Sequence, residues 1–211
     1  MPKTAYIVRH GQTDYNLQGI VQGSGVDSSL NATGREQGSL LYDKYREVPF
    51  EVVLTSALRR TQQTVASFIE SGISWEQHPD INEMGWGSHE GKKGTPESIE
   101  EYKRVRDGWG LGEIDGRIGG GESARELGHR VQRFIDHLPE RKESLLLICS
   151  HGRAMCGLVT LMMGRPIHEM NDLTHNNTGV WRASLRDNGL WEFDLKNDLS
   201  HLPEVPMMKK W

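Results

Sequence analysis

The sequence predicts an α/β fold in which a mostly parallel sheet is flanked by helices. Short apolar runs typical of buried strands alternate with amphipathic helical patterns over most of the 211 residues. The strongest of these runs, Leu145–Cys149, is apolar throughout, as expected for a strand that is covered on both faces. Two alternating segments, 180–185 and 190–195, flank Asn188-Gly189, a dipeptide typical of hairpins. The sheet should therefore be parallel except for a hairpin late in the chain.

The elements of the first third of the chain alternate regularly. We predict, in order, a strand at 4–10, a loop at 11–32, a helix at 33–46, a strand at 50–55, a helix at 57–71 and an extended segment at 73–81. The first helix should begin at a capping box, Thr33-Gly34-Arg35-Glu36. The second should end at Gly72, because glycine readily adopts the left-handed conformation that closes helices.

The composition changes over about 84–122, where glycines are frequent and aromatic residues lie among charged ones: Trp86, Tyr102 and Trp109. One helix, over roughly 96–106, is expected there. We interpret this segment as a lid-like insertion folded over a site, within a single domain that spans 1–211, because long irregular segments of compact domains are usually functional. Tryptophans exposed on the surface would offer a contact for a homo-oligomer.

The last third should return to regular alternation. We predict, in order, a helix at 124–138, the strand at 145–149, a helix at 152–163, the hairpin strands and an irregular tail at 202–211. Ser123-Ala124-Arg125-Glu126 has the pattern of a capping box for the first of these helices, and Pro139 should end it.

Composition excludes several classes of protein. Hydrophobic residues make up 36% and charged residues 26% of the chain, which is the balance of a globular domain in water. No apolar run approaches the roughly 20 residues that a membrane helix needs. The net charge of -4 argues against a general nucleic-acid binder, although it allows a local cationic pocket.

The start of the chain and its two cysteines indicate the compartment. Met1-Pro2-Lys3-Thr4 leads directly into a predicted strand, so we expect no signal peptide and a cytoplasmic protein. Cys149 and Cys156 lie in apolar patterns and are interpreted as buried free thiols, as in a reducing compartment.

Ionisable side chains stand at the ends of the predicted strands. Arg9 and His10 end the strand at 4–10, and Arg60 follows the strand at 50–55. Glu83 follows the extended segment at 73–81, and His151 follows the strand at 145–149. In open α/β sheets, ligands bind beyond the carboxyl ends of the strands. This set suits phosphoryl transfer, because guanidinium groups match phosphate oxygens, an imidazole can attack phosphorus, and a carboxylic acid can protonate the leaving oxygen.

The same residues lie in four motifs that resemble those of the histidine phosphatase superfamily, the phosphoglycerate mutase-like proteins. The motifs are Arg9-His10-Gly11; Ser56, Leu58, Arg60 and Thr64 in a Ser-x-Leu-x-Arg-x-x-x-Thr pattern; Asn82-Glu83 with Gly87; and Ser150-His151-Gly152. They occur in the family's order, and the resemblance runs from about residue 4 to 185. It implies a three-layer sandwich of the phosphoglycerate mutase-like type.

The resemblance also implies roles for the motif residues. His10 would be the phosphorylated nucleophile and Glu83 the proton donor, while Arg9, Arg60 and His151 would hold the phosphoryl oxygens. The substrate would be a small phosphorylated molecule, and neither a metal nor another cofactor is implied.

Three residues of the loop after the first strand complete the expected site. Asn16 matches an asparagine of the family that contacts phosphate. Gln22 and Gly23 lie in a loop that often lines the same pocket, so all three are expected to bind substrate.

Two other functions remain open beside a phosphatase. A phosphoglycerate mutase must shield its phosphorylated intermediate from water, which favours a closed lid with extra cations, whereas this insertion mixes bases with acids such as Glu97, Glu100 and Glu101. A non-catalytic phospholigand-binding protein would be favoured by the loss of His10 or Glu83, and both are present.

Several residues have a second interpretation. Arg59 is an alternative phosphate ligand, but the motif favours Arg60 and would leave Arg59 facing solvent. Glu83 could instead cap a helix or pair with an arginine. His89, His175 and Thr178 are candidates for substrate contact. The bases Lys92, Lys93, Arg104 and Arg106 fit a solvated face better than an anion site. The remaining histidines are expected on the surface or on helices: His78, His129, His137, His168 and His201.

Overall fold

The computed structural model describes residues 3–203, which form a six-stranded sheet between two layers of helices. The strands are β1 (Thr4–Arg9), β2 (Val52–Thr55), β3 (Ser74–Gln77), β4 (Leu145–Ser150), β5 (Val180–Leu185) and β6 (Trp191–Asp198). The helices are α1 (Asp14–Gln18), α2 (Ala32–Tyr45), α3 (Arg59–Thr64), α4 (Ala66–Glu70), α5 (Pro96–Gly110), α6 (Ala124–His137) and α7 (Gly152–Met162). From residue 204 onward, the predicted irregular tail lies outside the described residues.

The strand order is β3-β2-β4-β1-β5-β6. The first four of these run parallel, β5 runs antiparallel to β1, and β6 runs antiparallel to β5. The predicted mostly parallel sheet with a late hairpin is therefore confirmed. Strands β1 and β4 pair at its centre, where both faces of each strand are covered.

Successive side chains of the central strands point to opposite faces, and each face contributes to its own apolar core. Ile7 and Ile148 pack in a cluster with residues of α6 and α7. Val8 and Leu147 pack in a second cluster with residues of α2 and α4. This alternation produces the three layers that the family resemblance implies. No helix within residues 3–203 is both long and apolar enough to cross a bilayer.

The 84–122 segment contributes to the core. Trp86 is 9% exposed and Trp109 is fully buried, and both belong to the cluster on the α6–α7 face. Neither ring can therefore serve as an exposed tryptophan contact for a homo-oligomer, because both pack in that cluster, whereas Trp75 of β3 is 39% exposed. Val105 and Trp109, four residues apart, give α5 a buried stripe that extends the helix beyond the predicted end at 106.

Side-chain caps account for one helix that begins earlier than predicted and for one short helix that was not predicted. The Asn31 side chain accepts a hydrogen bond from Gly34 N at 2.9 Å, so α2 begins before the predicted capping box at Thr33. The predicted loop 11–32 also contains the short helix α1, which Thr13 and Asn16 close with a reciprocal capping box. The capping box predicted at Ser123 is present at the start of α6.

The single helix predicted over 57–71 is divided into α3 and α4 at Val65. The Thr64 hydroxyl donates to Arg60 O at 2.7 Å and accepts from Gly11 N at 2.9 Å. Hydrogen bonds of this kind to the preceding turn bend helices, and here the hydroxyl also ties α3 to the end of β1. The break therefore results from a tertiary contact that the local pattern does not contain.

One histidine expected on the surface is buried. His201 is 8% exposed, and its Nε2 donates to Thr178 Oγ1 at 3.0 Å. The chain after β6 thus packs against the turn that leads into β5. His129 and His137 are exposed on α6, as predicted.

Candidate active site

The ends of β1 and β4 lie side by side and bring the two histidine motifs together. Arg9 pairs with Ser150 in the sheet register, and His10 N donates to Ser150 O at 2.9 Å. The ring centroids of His10 and His151 are 5.2 Å apart. The predicted convergence at the carboxyl edge of the sheet is therefore present.

The hydrogen bond of the His10 ring determines its tautomer. Nδ1 lies 2.7 Å from Gly11 O, and because a carbonyl oxygen only accepts, Nδ1 must carry the proton. The lone pair of Nε2 is then free to attack. Burial, followed by the positive charges of Arg60 and Arg9, holds the pKa of His10 well below its usual range, so the ring is neutral near neutral pH.

His151 has the opposite tautomer. Arg60 Nε donates to His151 Nδ1 at 3.1 Å, which leaves the proton of the neutral ring on Nε2. Nε2 then donates to Ser56 Oγ at 2.7 Å, and Ser56 Oγ lies 2.9 Å from Thr61 Oγ1. This chain of donors fixes the orientation of the imidazole. Burial, followed by Arg60, holds its pKa well below the usual range.

The two adjacent arginines point in different directions. Arg60 is fully buried and donates to His151, to Val26 O at 2.6 Å and to Gly23 O at 3.4 Å. The Arg59 side chain is 58% exposed and lies 3.7 Å from Asp27. The expectation that Arg59 faces solvent is confirmed. Burial is the main reason that the pKa of Arg60 falls to about 10, and the group remains charged at neutral pH.

The Arg60→Lys variant should lose about 2–3 kcal/mol of transition-state binding, because lysine keeps the charge but not the planar pair of donors. Arg59→Lys is the matched control and should keep nearly full kcat/KM, since its side chain faces solvent. Steady-state kinetics on one phosphomonoester measure both variants. A larger loss for Arg59→Lys would assign the phosphate contact to Arg59.

Arg9 enters the site from the other side of His10. One terminal nitrogen donates to His175 O at 2.7 Å, while its buried Nε has no hydrogen-bond partner among residues 3–203. Burial lowers the pKa of Arg9, and the nearby Glu83 opposes that shift. A half-buried guanidinium whose buried Nε has an unused N–H is suited to an anionic ligand.

The side chain of Glu83 lies against the first turn of α7, which is about 70 residues later in the chain. Its Oε1 accepts from Met84 N at 2.8 Å and Ala154 N at 3.0 Å, and its Oε2 accepts from Arg153 N at 3.2 Å. The carboxylate is 7% exposed. These contacts fit the interpretation of Glu83 as a helix cap. A role for Glu83 as the proton donor depends instead on the arginines and histidines beside it.

The three predicted substrate-binding residues line the loop side of the site. Asn16 Oδ1 accepts from Thr13 N and Thr13 Oγ1, both at 3.1 Å. Gln22 Oε1 accepts from Thr13 Oγ1 at 3.0 Å and from Ser28 Oγ at 2.5 Å. Because each side-chain oxygen is occupied, each amide NH₂ group is the part left to meet a substrate.

Gly23 is needed for close packing. Its carbonyl accepts from Arg60, and a Cβ at this position would lie 1.9 Å from Glu90 Oε1. The carboxylate of Glu90 also accepts from Trp86 N at 2.8 Å. Glu90 of the 84–122 insertion thus packs closely against the loop that carries Gln22 and Gly23.

Sequence reasoning missed Asn177 as a part of the site. Asn177 Nδ2 donates to His10 O at 2.8 Å and lies 3.4 Å from Asn16 Oδ1. Its neighbour Thr178 has φ 56, an uncommon conformation for a β-branched residue, and donates its backbone N–H to Arg9 O at 2.9 Å. The signal available was a position just before a late strand, which had drawn attention only to His175 and Thr178.

The remaining candidates for substrate contact in the 84–122 insertion are either paired with a carboxylate or exposed to solvent. His89 Nε2 lies 2.8 Å from Glu101 Oε2 and is engaged within the insertion. Lys92, Lys93 and Arg104 are exposed, and Arg106 pairs with Asp107 at 2.8 Å, which is consistent with the solvated face that we predicted. Within residues 3–203, no group of three or more histidine, cysteine, aspartate or glutamate side chains is placed to hold a metal ion.

A three-layer α/β sandwich with two histidines, two arginines and a glutamate at the carboxyl edge of its sheet is the framework of a phosphoryl-transfer enzyme. The chain belongs to the histidine phosphatase superfamily (branch 1), which it matches over residues 5–199. The family resemblance stated from the four motifs is therefore confirmed, and so is the expectation of an enzyme of this class.

Relatives of this chain carry two kinds of name. It is 32% identical over 205 residues to the probable phosphoglycerate mutase GpmB of Enterobacter sp. (strain 638), covering 93% of this chain and 94% of that protein. The α-ribazole phosphatase from Shigella flexneri superposes with a TM-score of 0.81 at 24% identity, covering 97% of this chain and 100% of that one. The mycobacterial glucosyl-3-phosphoglycerate phosphatase has a TM-score of 0.81 at 21% identity, covering 92% and 98%. The two structural likenesses show the shared fold.

Proposed function

We propose that this protein hydrolyses the phosphomonoesters of small metabolites in the cytoplasm through a phosphohistidine at His10. One observation supports this most directly. The neutral imidazole of His10 donates its only N–H proton to Gly11 O, which leaves Nε2 free beside the guanidinium groups of Arg9 and Arg60. A free nucleophile next to unneutralised positive charge is the arrangement that attack on a phosphoryl group requires.

In the first step, Nε2 of His10 forms a bond to phosphorus as the bond to the leaving oxygen breaks. Arg9 and Arg60 flank the three remaining oxygens and stabilise their negative charge, and His151 joins them when its Nε2–H turns from Ser56 Oγ to a phosphoryl oxygen. Glu83, in its protonated form, gives its proton to the leaving oxygen, and an alcohol departs. Asn16, Gln22 and Gly23 complete the pocket from the loop side.

In the second step, water attacks the phosphohistidine and replaces His10 at phosphorus. Glu83, now a carboxylate, accepts a proton from that water, so both the acid and the imidazole return to their starting forms. The net change is the conversion of a phosphomonoester and water to an alcohol and inorganic phosphate. Every proton in this cycle is moved by a residue of the chain.

Phosphoglycerate mutase activity, the name given to the GpmB relatives, is the alternative. A mutase must hold the phosphohistidine away from water until the phosphoryl group returns to the substrate. The described cations of the insertion give little help, because Arg106 and Arg117 pair with carboxylates and Lys92 and Lys93 are exposed. We therefore favour hydrolysis, and retain a non-catalytic phospholigand-binding protein as a third candidate.

A substrate panel tests the proposed function. Release of inorganic phosphate is measured from a set of metabolite phosphomonoesters, with and without 2,3-bisphosphoglycerate. Hydrolysis without the bisphosphate is the expected result. A mutase would instead isomerise phosphoglycerates and depend on the bisphosphate, whereas a binding protein would bind the ligands without turning them over.

We also expect the reaction to need no metal, since the arginines supply the positive charge. The same assay with excess EDTA should retain full activity. If EDTA abolishes turnover and magnesium restores it, the arginines are insufficient and the proposed mechanism is wrong in this respect.

A further inference from the structure

Five arginines of residues 3–203 make no ion pair with a carboxylate: Arg9, Arg35, Arg60, Arg104 and Arg153. Arg35 and Arg104 are exposed, so water compensates their charge. The other three lie within the fold. Arg9 and Arg60 flank His10 and are accounted for by the proposed phosphoryl site, which leaves the positive charge of Arg153 without a role.

The side-chain contacts of Arg153 are with neutral groups. One terminal nitrogen donates to Asn171 Oδ1 at 3.0 Å and the other to Tyr102 OH at 2.5 Å. Its guanidinium carbon also lies 5.9 Å from the centre of the Tyr102 ring. These contacts hold the side chain in one orientation but do not neutralise it. A guanidinium has five N–H groups, so donors remain for a ligand.

The position of Arg153 is on the leaving-group side of the proposed reaction. Its own backbone N–H donates to Glu83 Oε2 at 3.2 Å, and it follows His151 by two residues in the first turn of α7. Its side chain reaches Tyr102 of α5, in the 84–122 insertion. Burial, followed by the positive charges of Arg9 and Arg153, lowers the pKa of the nearby His175 to about 3.

We propose that Arg153, held by Tyr102 and Asn171, binds a carboxylate on the leaving portion of the substrate. This inference rests on the proposed function and specifies its substrate class as a phosphomonoester that bears a carboxylate beyond the ester oxygen. The planar guanidinium matches the two oxygens of a carboxylate. A second phosphoryl dianion fits less well, because a single guanidinium balances only one negative charge.

The test compares substrates that differ in the carboxylate alone. Phosphoglycolate is matched with ethylene glycol monophosphate, and 3-phosphoglycerate with glycerol 3-phosphate. The measured quantity is the ratio of kcat/KM within each pair. The wild-type enzyme should prefer the carboxylated member of at least one pair, and Arg153→Met should reduce that preference about 10- to 100-fold. Arg153→Lys, which keeps the charge but not the fork, should reduce it less.

Arg106→Met is the matched control, because Arg106 lies the same 5.9 Å from the centre of the Tyr102 ring but pairs with Asp107. It should leave the ratio unchanged. Turnover with no preference for either carboxylated substrate, or a preference that survives in both Arg153 variants, would overturn this inference alone. If no phosphomonoester is hydrolysed, including p-nitrophenyl phosphate, the proposed function itself fails and this inference fails with it.

Discussion

Replacement of His10 by alanine should lower the rate of phosphomonoester hydrolysis by about 10⁴-fold or more, because no other group in the site can form the covalent intermediate. His10 Nε2 carries a free lone pair, whereas the proton of His151 lies on Nε2 and its Nδ1 accepts from Arg60. Rapid quenching of the wild-type reaction, followed by mass spectrometry of the intact chain and its peptides, should show one phosphoryl group on His10.

His10→Gln accompanies the alanine variant because it fills the space of the buried ring and limits loss of folding. His129→Ala, on the exposed face of α6, is the matched histidine control and should keep full turnover. The low pKa of His10 adds a signature. Phosphorylation of the wild-type enzyme should not slow as the pH falls from about 7 to about 6, through the ordinary range of histidine. Near wild-type turnover in both His10 variants would show that His10 is not the nucleophile.

Glu83→Gln should slow the phosphorylation of His10 by an alkyl phosphate about 10²- to 10⁴-fold, and by p-nitrophenyl phosphate far less. An alkoxide is strongly basic and leaves poorly without a proton, whereas p-nitrophenolate is a weak base and needs little help. Glutamine keeps the size of the side chain and an oxygen that can accept from Met84 N and Ala154 N, and it loses only the 3.2 Å hydrogen bond from Arg153 N, so most of the cap at the start of α7 is retained. The first turnover must be followed alone, because Glu83 also activates water in the second step.

The capping contacts of Glu83 make a structural role the competing explanation. Glu143→Gln is the control for loss of a largely buried carboxylate, because Glu143 is 9% exposed and pairs with Arg141 away from the site. Equal losses on the two substrates in Glu83→Gln would assign Glu83 to positioning. The same conclusion would follow if Glu83→Gln had a lower thermal midpoint but kept the wild-type ratio of rates for the alkyl phosphate and p-nitrophenyl phosphate.

Most of the fold could be predicted from local patterns because the strands are simple. The apolar runs of β1, β2 and β4 and the Asn188-Gly189 turn specify strands and a hairpin without reference to distant residues. The misplaced features depend on contacts across the chain. The break at Val65 follows from the hydrogen bonds of Thr64, and His201 is buried by its contact with Thr178. Neither partner can be identified from neighbouring sequence.

The insertion shows the same limit in its packing. Trp86, Tyr102 and Trp109 stand among charged residues, so the local composition does not indicate how deeply their rings are buried. In the fold, two of these rings are buried in the α6–α7 core, and the centre of the third lies 5.9 Å from the guanidinium carbons of both Arg153 and Arg106. Hydrophobic free energy favours burial of large rings wherever the fold offers a surface, and local polarity does not reveal that surface.

By itself, the sequence determined the class of fold, the family, and the five charged or ionisable residues that stand at the carboxyl edge of the sheet, because strand patterns and motif residues are local. Only the tertiary structure decided the tautomers of His10 and His151, the hydrogen-bond partners of Arg60, and the lack of a carboxylate partner for Arg153 among the described residues. Each of these depends on hydrogen bonds and desolvation set by the folded backbone. In the case of Arg60 and His151, the two partners are 91 residues apart in the chain.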